Sequence, residues 1–105
     1  MAIEFDRTSM IIPPTIGPQA FNGAITFPGG IVIQKAAVAL EGFDLHLENA
    51  AGAIVSRRIA TMRVDTQLIN FVGDVVNFQV SLDLSDTTPT EPYSGNVSVF
   101  AIVEH

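Results

Sequence analysis

Val75 to Leu84 reads VVNFQVSLDL, and this stretch decides the fold class. Val76, Phe78, Val80, Leu82 and Leu84 alternate with Val75, Asn77, Gln79, Ser81 and Asp83. Successive side chains of a strand point to opposite sides, so one side here is apolar and the other mostly polar. That is the pattern of an antiparallel strand with one face on a core and one in water. Just upstream, Gly73-Asp74 supplies a turn, since glycine reaches positive φ without steric cost. Downstream, Ser85 to Ser94 (SDTTPTEPYS) has two prolines and no periodicity, and reads as a loop.

Reading outward, the same period recurs. Phe21, Gly23, Ile25 and Phe27 alternate with Asn22, Ala24 and Thr26, and Pro28-Gly29-Gly30 turns the chain. After the short β-branched run Ile31 to Ile33 comes Lys35 to Leu47. There Val38 and Leu40 take one parity and Ala37, Ala39, Phe43, Leu45 and Leu47 the other. The switch falls at Glu41-Gly42, where a glycine within a strand pattern marks a bulge or bend. Glu48 to Gly52 is turn-like. Ile54 to Thr66 places Ala60, Met62 and Val64 opposite Arg57, Thr61, Arg63 and Asp65, with Ile59 out of step, and Gln67 to Val72 is a further short segment. No segment has a convincing helical period. Five to eight strands with turns every ~8–12 residues predict an all-β, single-domain antiparallel β-sandwich of the jelly-roll or similar kind.

Two segments depart from the simple alternation. Gly95 to Val103 is apolar on both sides, with Val97, Val99, Ala101 and Val103 on one and Phe100 and Ile102 on the other. A strand apolar on both faces is buried on both. In one small sandwich a single face meets the core, so the second needs a covering segment or another subunit. Residues 1–20 carry Ile3 and Phe5 in alternation with Glu4 and Asp6. Met10, Ile11 and Ile12 then run into Pro13, Pro14 and Pro18. Proline at this density excludes helix and disfavours a central strand. The segment reads as an extended N-terminal arm strapped over a surface, with the sandwich domain over 21–105. Ile3, Phe5, Ile11, Ile12, Phe100 and Ile102 are the candidate oligomer interface.

Composition narrows the partners. The chain has 105 residues, 48% of them apolar and 15% charged; soluble domains carry roughly a quarter charged residues. A shortfall of charge in a small domain, where surface per residue is high, predicts a surface rich in Thr, Ser, Asn and Gln, part of it covered in an assembly. The net charge of −6 argues against a nucleic-acid partner, which requires a basic surface. No basic-then-apolar leader opens the chain and no run is long enough to span a bilayer, so neither a signal peptide nor membrane insertion is expected and no compartment is assigned. With no cysteine, disulfides, thiolate metal sites and a cysteine nucleophile are excluded.

No catalytic constellation is legible, and the expectation is a protein that is not an enzyme and needs no cofactor. Asp44, His46 and Glu48 share a strand face and could approach a metal. The spacing is poor for zinc, and a solvated strand face accounts for the row. Asp83, Asp86 and Glu91 gather acidic oxygens near one loop without a calcium-loop spacing, so no metal is expected. A hydrolase would need His46 joined to a nucleophile such as Ser56. For a glycan, the alternative partner, the candidate surface is Tyr93, Arg57, Arg63, Asp86 and Glu91. A tyrosine ring can stack on a sugar, and arginine can grip paired oxygens. The competing reading of Tyr93 is a loop anchor whose hydroxyl bonds to backbone.

Four stretches, in this order, carry a resemblance: FPGGIVIQKAAVALEGFDLHL (27–47), RRIATMRVD (57–65), VVNFQVSLDLSD (75–86) and GNVSVFAIVE (95–104). Together they resemble the small six-stranded sandwiches of the H-type lectin kind. The resemblance implies an antiparallel sandwich, a trimeric or hexameric unit, and sugar sites near subunit boundaries. Phe100 stands near the place where that family's last strand usually carries a tryptophan. The pattern also resembles small β-sandwiches of viral and other repeating assemblies. The expected function is therefore a non-catalytic, self-associating structural or adhesive protein that forms a homo-oligomer, trimer or larger. A carbohydrate-binding, lectin-like module is the alternative.

Overall fold

The computed structural model describes residues 2–47, 59–86 and 92–105. Six strands run through them: β1 (Ile3–Thr15), β2 (Gln19–Thr26), β3 (Lys35–Leu47), β4 (Ile59–Val72), β5 (Val75–Asp86) and β6 (Tyr93–Glu104). They form two three-stranded antiparallel sheets, ordered β1-β6-β3 and β2-β5-β4. The sheets lie face to face, with β1 against β2 and β3 against β4. The strands are long, and the molecule is a bar of 50 × 19 × 17 Å.

The core is a single narrow layer between the sheets. From β5 it takes Val76, Phe78, Val80, Leu82 and Leu84, the apolar parity of the stretch that opens the sequence reading. From β6 it takes Val97, Val99, Ala101 and Val103, all at most 1% exposed. Each sheet thus has its central strand buried on the inner side, and the flanking strands add Ile12, Ile25 and Leu47. One end is closed by Phe27 and Ile33, whose backbone N–H groups donate to Asp74 and Gly73 carbonyls at 2.9 Å each.

The parity switch in β3 is a bulge. The register with β6 shifts between Leu40 and Gly42. The extra residue returns Val38, Leu40, Leu45 and Leu47 to one inward face, which a strict two-residue period would have split. Two more shifts, at Ile59/Thr61 and Leu68/Asn70, let one strand, β4, run across what reads in sequence as two segments. The first explains why Ile59 falls out of step.

The N-terminal segment differs from the expectation of a strap. Residues 3–15 are a full strand, paired with β6 from Ile3↔Glu104 to Thr15↔Tyr93. The prolines did not prevent this because Pro13 and Pro14 sit at the bulged end, between Ile12 and Thr15, on an edge strand. Such a position asks less of the backbone N–H. The ends are held together by reciprocal bonds: Ala2 N–H donates to the His105 carbonyl at 2.8 Å and His105 N–H to the Ala2 carbonyl at 2.9 Å. The segment therefore lies beside β6, and the outer face of β6 is not covered by it.

Candidate functional site: the outer face of the β1-β6-β3 sheet

Residues paired across an antiparallel ladder point to the same side, so the registers fix the composition of each outer face. On β6 the inward residues are Val97, Val99, Ala101 and Val103, which sends Asn96, Ser98, Phe100, Ile102 and Glu104 outward. Opposite them on β1 stand Ile11, Ser9, Arg7, Phe5 and Ile3. On β3 stand Asp44, Gly42, Ala39, Ala37 and Lys35. Ile3, Phe5, Phe100, Ile102, Ala37 and Ala39 thus form one continuous apolar patch. Ile3 is 60% exposed and Phe5 69%, while Phe100 and Ile102, on the central strand, are half-buried by their neighbours.

Charges frame this patch without giving it a net sign. At one end Lys35 is paired in register with Glu104. At the other, the Arg7 guanidinium donates to Glu41 Oε1 at 2.9 Å, reaching from β1 across β6 to the bulge of β3. Beyond the Arg7–Glu41 pair the face turns polar: Ser9 and Ser98 hydroxyls bond at 3.0 Å. Shallow depressions lie on the apolar half, one lined by Ile3, Lys35, Ala37, Ile102 and Glu104, another by Phe5, Arg7 and Phe100.

Of the six candidate interface residues, five lie on this face: Ile3, Phe5, Ile11, Phe100 and Ile102. Ile12 does not. It is 1% exposed and belongs to the core. In a paired strand Ile11 and Ile12 must point to opposite sides, and an unpaired arm would have imposed no such rule. The residue that sequence reading missed is Arg7, together with its partner Glu41. The signal was weak, because the two are 34 residues apart and meet over the back of a strand that neither belongs to.

The candidate glycan surface is not brought together among the described residues. Tyr93 is fully buried. Its hydroxyl donates to the Gly17 carbonyl at 2.7 Å and also approaches the Leu82 carbonyl at 3.3 Å. The ring therefore has no free face for a sugar, which corrects its assignment to a binding surface and matches the anchor reading. Burial, and secondarily the Asp83 charge, raise its pKa above the usual value of 10.0. Arg63 is exposed on β4 and ion-paired with Asp65 on the same strand. Asp86 ends β5; Arg57 and Glu91 lie outside the described residues, as do Ser56 and Glu48.

His46 faces Ser94 across β3 and β6, with Nε2 and Oγ 3.3 Å apart. Ser94 is 8% exposed, so this pair is built into the sheet instead of lining a cleft. Among the described residues, no three His, Cys, Asp or Glu side chains cluster as metal ligands. Gly95, next to Ser94, has φ +147°, and a Cβ there would sit 1.8 Å from the Asp44 carbonyl oxygen. Strands β3 and β6 approach too closely at this point for any side chain.

No protein-family model, curated protein or solved structure matches the chain.

Proposed function

We propose that this chain is a non-catalytic, self-associating structural or adhesive module, and that its copies build a homo-oligomer through the outer face of the β1-β6-β3 sheet. The observation that carries the reading is the continuous apolar patch of Ile3, Phe5, Phe100 and Ile102 on that face. Scattered surface apolar residues need no explanation, but a contiguous patch framed by polar residues marks an interaction surface. The narrow bar shape adds to the argument. A core one layer thick leaves a large share of the chain on the surface, and association is the available way to bury more.

The two three-stranded antiparallel sheets of the described residues support a sandwich of the H-type-lectin-like or jelly-roll kind as the fold reading. That likeness does not transfer sugar binding, since function resides in a site and not in a scaffold. With Tyr93 inside the core, a lectin reading would have to rest on other residues, and a glycan array tests it independently.

The decisive measurement is the native mass by light scattering over a range of concentrations. A particle at a multiple of the 11.2 kDa chain mass, expected at three copies or more, supports the proposal. A mass of one chain at every concentration overturns it.

A further inference from the structure

The face proposed above for self-association is lopsided, and the lopsidedness specifies how a second copy would sit on it. Its β1 side carries the large residues Ile3 and Phe5, with the cation Arg7. Its β3 side carries the small residues Ala37 and Ala39, with the anion Glu41. At the level of Ile102 the row across the sheet is Phe5, Ile102, Ala37; at the level of Phe100 it is Arg7, Phe100, Ala39. Each half is thus the complement of the other in volume, and at the level of Arg7 and Glu41 in charge as well, while Lys35, also on the β3 side, stands beside Glu104 in register.

We infer that neighbouring copies of this chain are related by a rotation axis running along the strands, so that the β1 side of one copy packs on the β3 side of the next. Phe5 then fills the shallow ground over Ala37 of the neighbouring copy, and Arg7 faces Glu41 across the boundary as well as within its own chain. A rotation that reversed the strand direction would set Ile3 and Phe5 against their own counterparts and leave the alanine side empty. The inference rests on the self-association reading and adds its geometry.

Two further observations favour a second copy as the occupant, and a face over an edge as the contact. The chain carries a net charge of −6, so two copies repel through most of their surface. This face, with Arg7 and Lys35 balanced by Glu41 and Glu104 around its apolar half, has no such excess. The strand edges are guarded against pairing in the ways edge strands commonly are. Edge strand β1 turns the charged Glu4 and Asp6 toward the sheet interior at half-buried positions. Strands β3 and β4 carry bulges, and β2 is short, at eight residues.

The test is complementation between charge variants. Arg7→Glu and Glu41→Arg are made separately, and native mass is read for each alone and for an equal mixture. Both side chains are exposed, and circular dichroism verifies that each variant is folded. Each alone sets like charges against each other both within the chain and across the boundary, and the concentration for half-dissociation should rise at least about tenfold. The mixture restores opposite charges across the boundary while leaving the within-chain clash, so assembly should return toward the wild-type value. Ala37→Glu, which fills the hollow, should dissociate the particle without a mixing partner. If the wild type assembles but the mixture is no better than its components, or Ala37→Glu assembles normally, the geometry is overturned while self-association stands. If the wild type is one chain at all concentrations, both readings fall together.

Discussion

On the outer side of the β2-β5-β4 sheet, several polar side chains bond to one another. Asn77 donates to Asn70 Oδ1 at 2.8 Å, Gln79 donates to Asn22 Oδ1 at 3.2 Å, and Arg63 pairs with Asp65. On the outer side of the β1-β6-β3 sheet, the matching central positions hold Phe100 and Ile102, flanked by Phe5 and Ile3. The inner side of each sheet is built on a central strand of alternating apolar residues. The sheets differ most in what the central strand and its neighbours show to the outside. A half-polar strand such as β5 is complete in one chain. Strand β6 instead shows Phe100 and Ile102 outward between Ser98 and Glu104, and leaves these two apolar residues half-exposed.

The comparison breaks most sharply at two glycines, one in each sheet. Gly95→Ala should cost more than ~4 kcal/mol and leave little folded protein, since the clash is with backbone and the φ is one that side chains rarely adopt. Urea unfolding or failure to recover soluble protein reads this. Gly23→Ala in the other sheet directs its Cβ at the Phe78 ring, 2.5 Å away at Cζ. Its cost should be about 1–3 kcal/mol, the range for overpacking a core.

Between the outer faces the contrast is one of assembly against stability. Phe5→Glu should lower native mass, or raise the dissociation concentration at least about tenfold, while the unfolding midpoint of the dissociated chain moves little. Asn77→Ala on the polar face should leave native mass unchanged and lose about 0.5–1 kcal/mol, the net worth of an exposed side-chain hydrogen bond at most. An equal effect of both on mass would remove the distinction between the faces.

Tyr93 ties the two halves together, since it opens β6 and bonds to the carbonyl of Leu82 on β5. Tyr93→Phe should cost about 1 kcal/mol by leaving the Gly17 carbonyl without its donor. The folded state holds the phenol proton more tightly than the unfolded chain does. Its stabilising contribution is therefore complete below pH ~10 and declines as pH rises beyond that, through the raised folded pKa. Unfolding curves between pH 8 and 11 should show the alkaline loss in wild type and a smaller one in Tyr93→Phe. The smallest effect belongs to Arg7→Ala in the isolated chain. An exposed ion pair is worth about 0–1 kcal/mol, so its monomer should unfold almost as wild type does.

Much of the all-β, antiparallel architecture was legible because the information is local. The alternation of Val76 to Leu84 and of Val97 to Val103 marks two inner faces, and Glu41-Gly42 marks the place where β3 slips register. The candidate interface was legible for the same reason at Phe100 and Ile102, whose apolar character on the wrong parity needed an explanation. Ile12 and Tyr93 were misplaced because each required knowing a neighbour. Ile12 turns inward only because β1 is paired with β6. Tyr93 packs in the core, where the Gly17 and Leu82 carbonyls, 76 and 11 residues away, meet at its hydroxyl.

What the sequence determined by itself is the side of its strand on which each residue stands, because backbone geometry sets a period of two within a few residues. What only the tertiary structure decided is which strands lie side by side. That choice made the N-terminal segment an extension of β6's sheet and not its cover, brought Arg7 to Glu41, and gathered Ile3, Phe5, Phe100 and Ile102 onto one open face. The pairing of β1 with β6 joins residues about a hundred positions apart at its far end, as between Ile3 and Glu104, and no local period encodes a separation of that length.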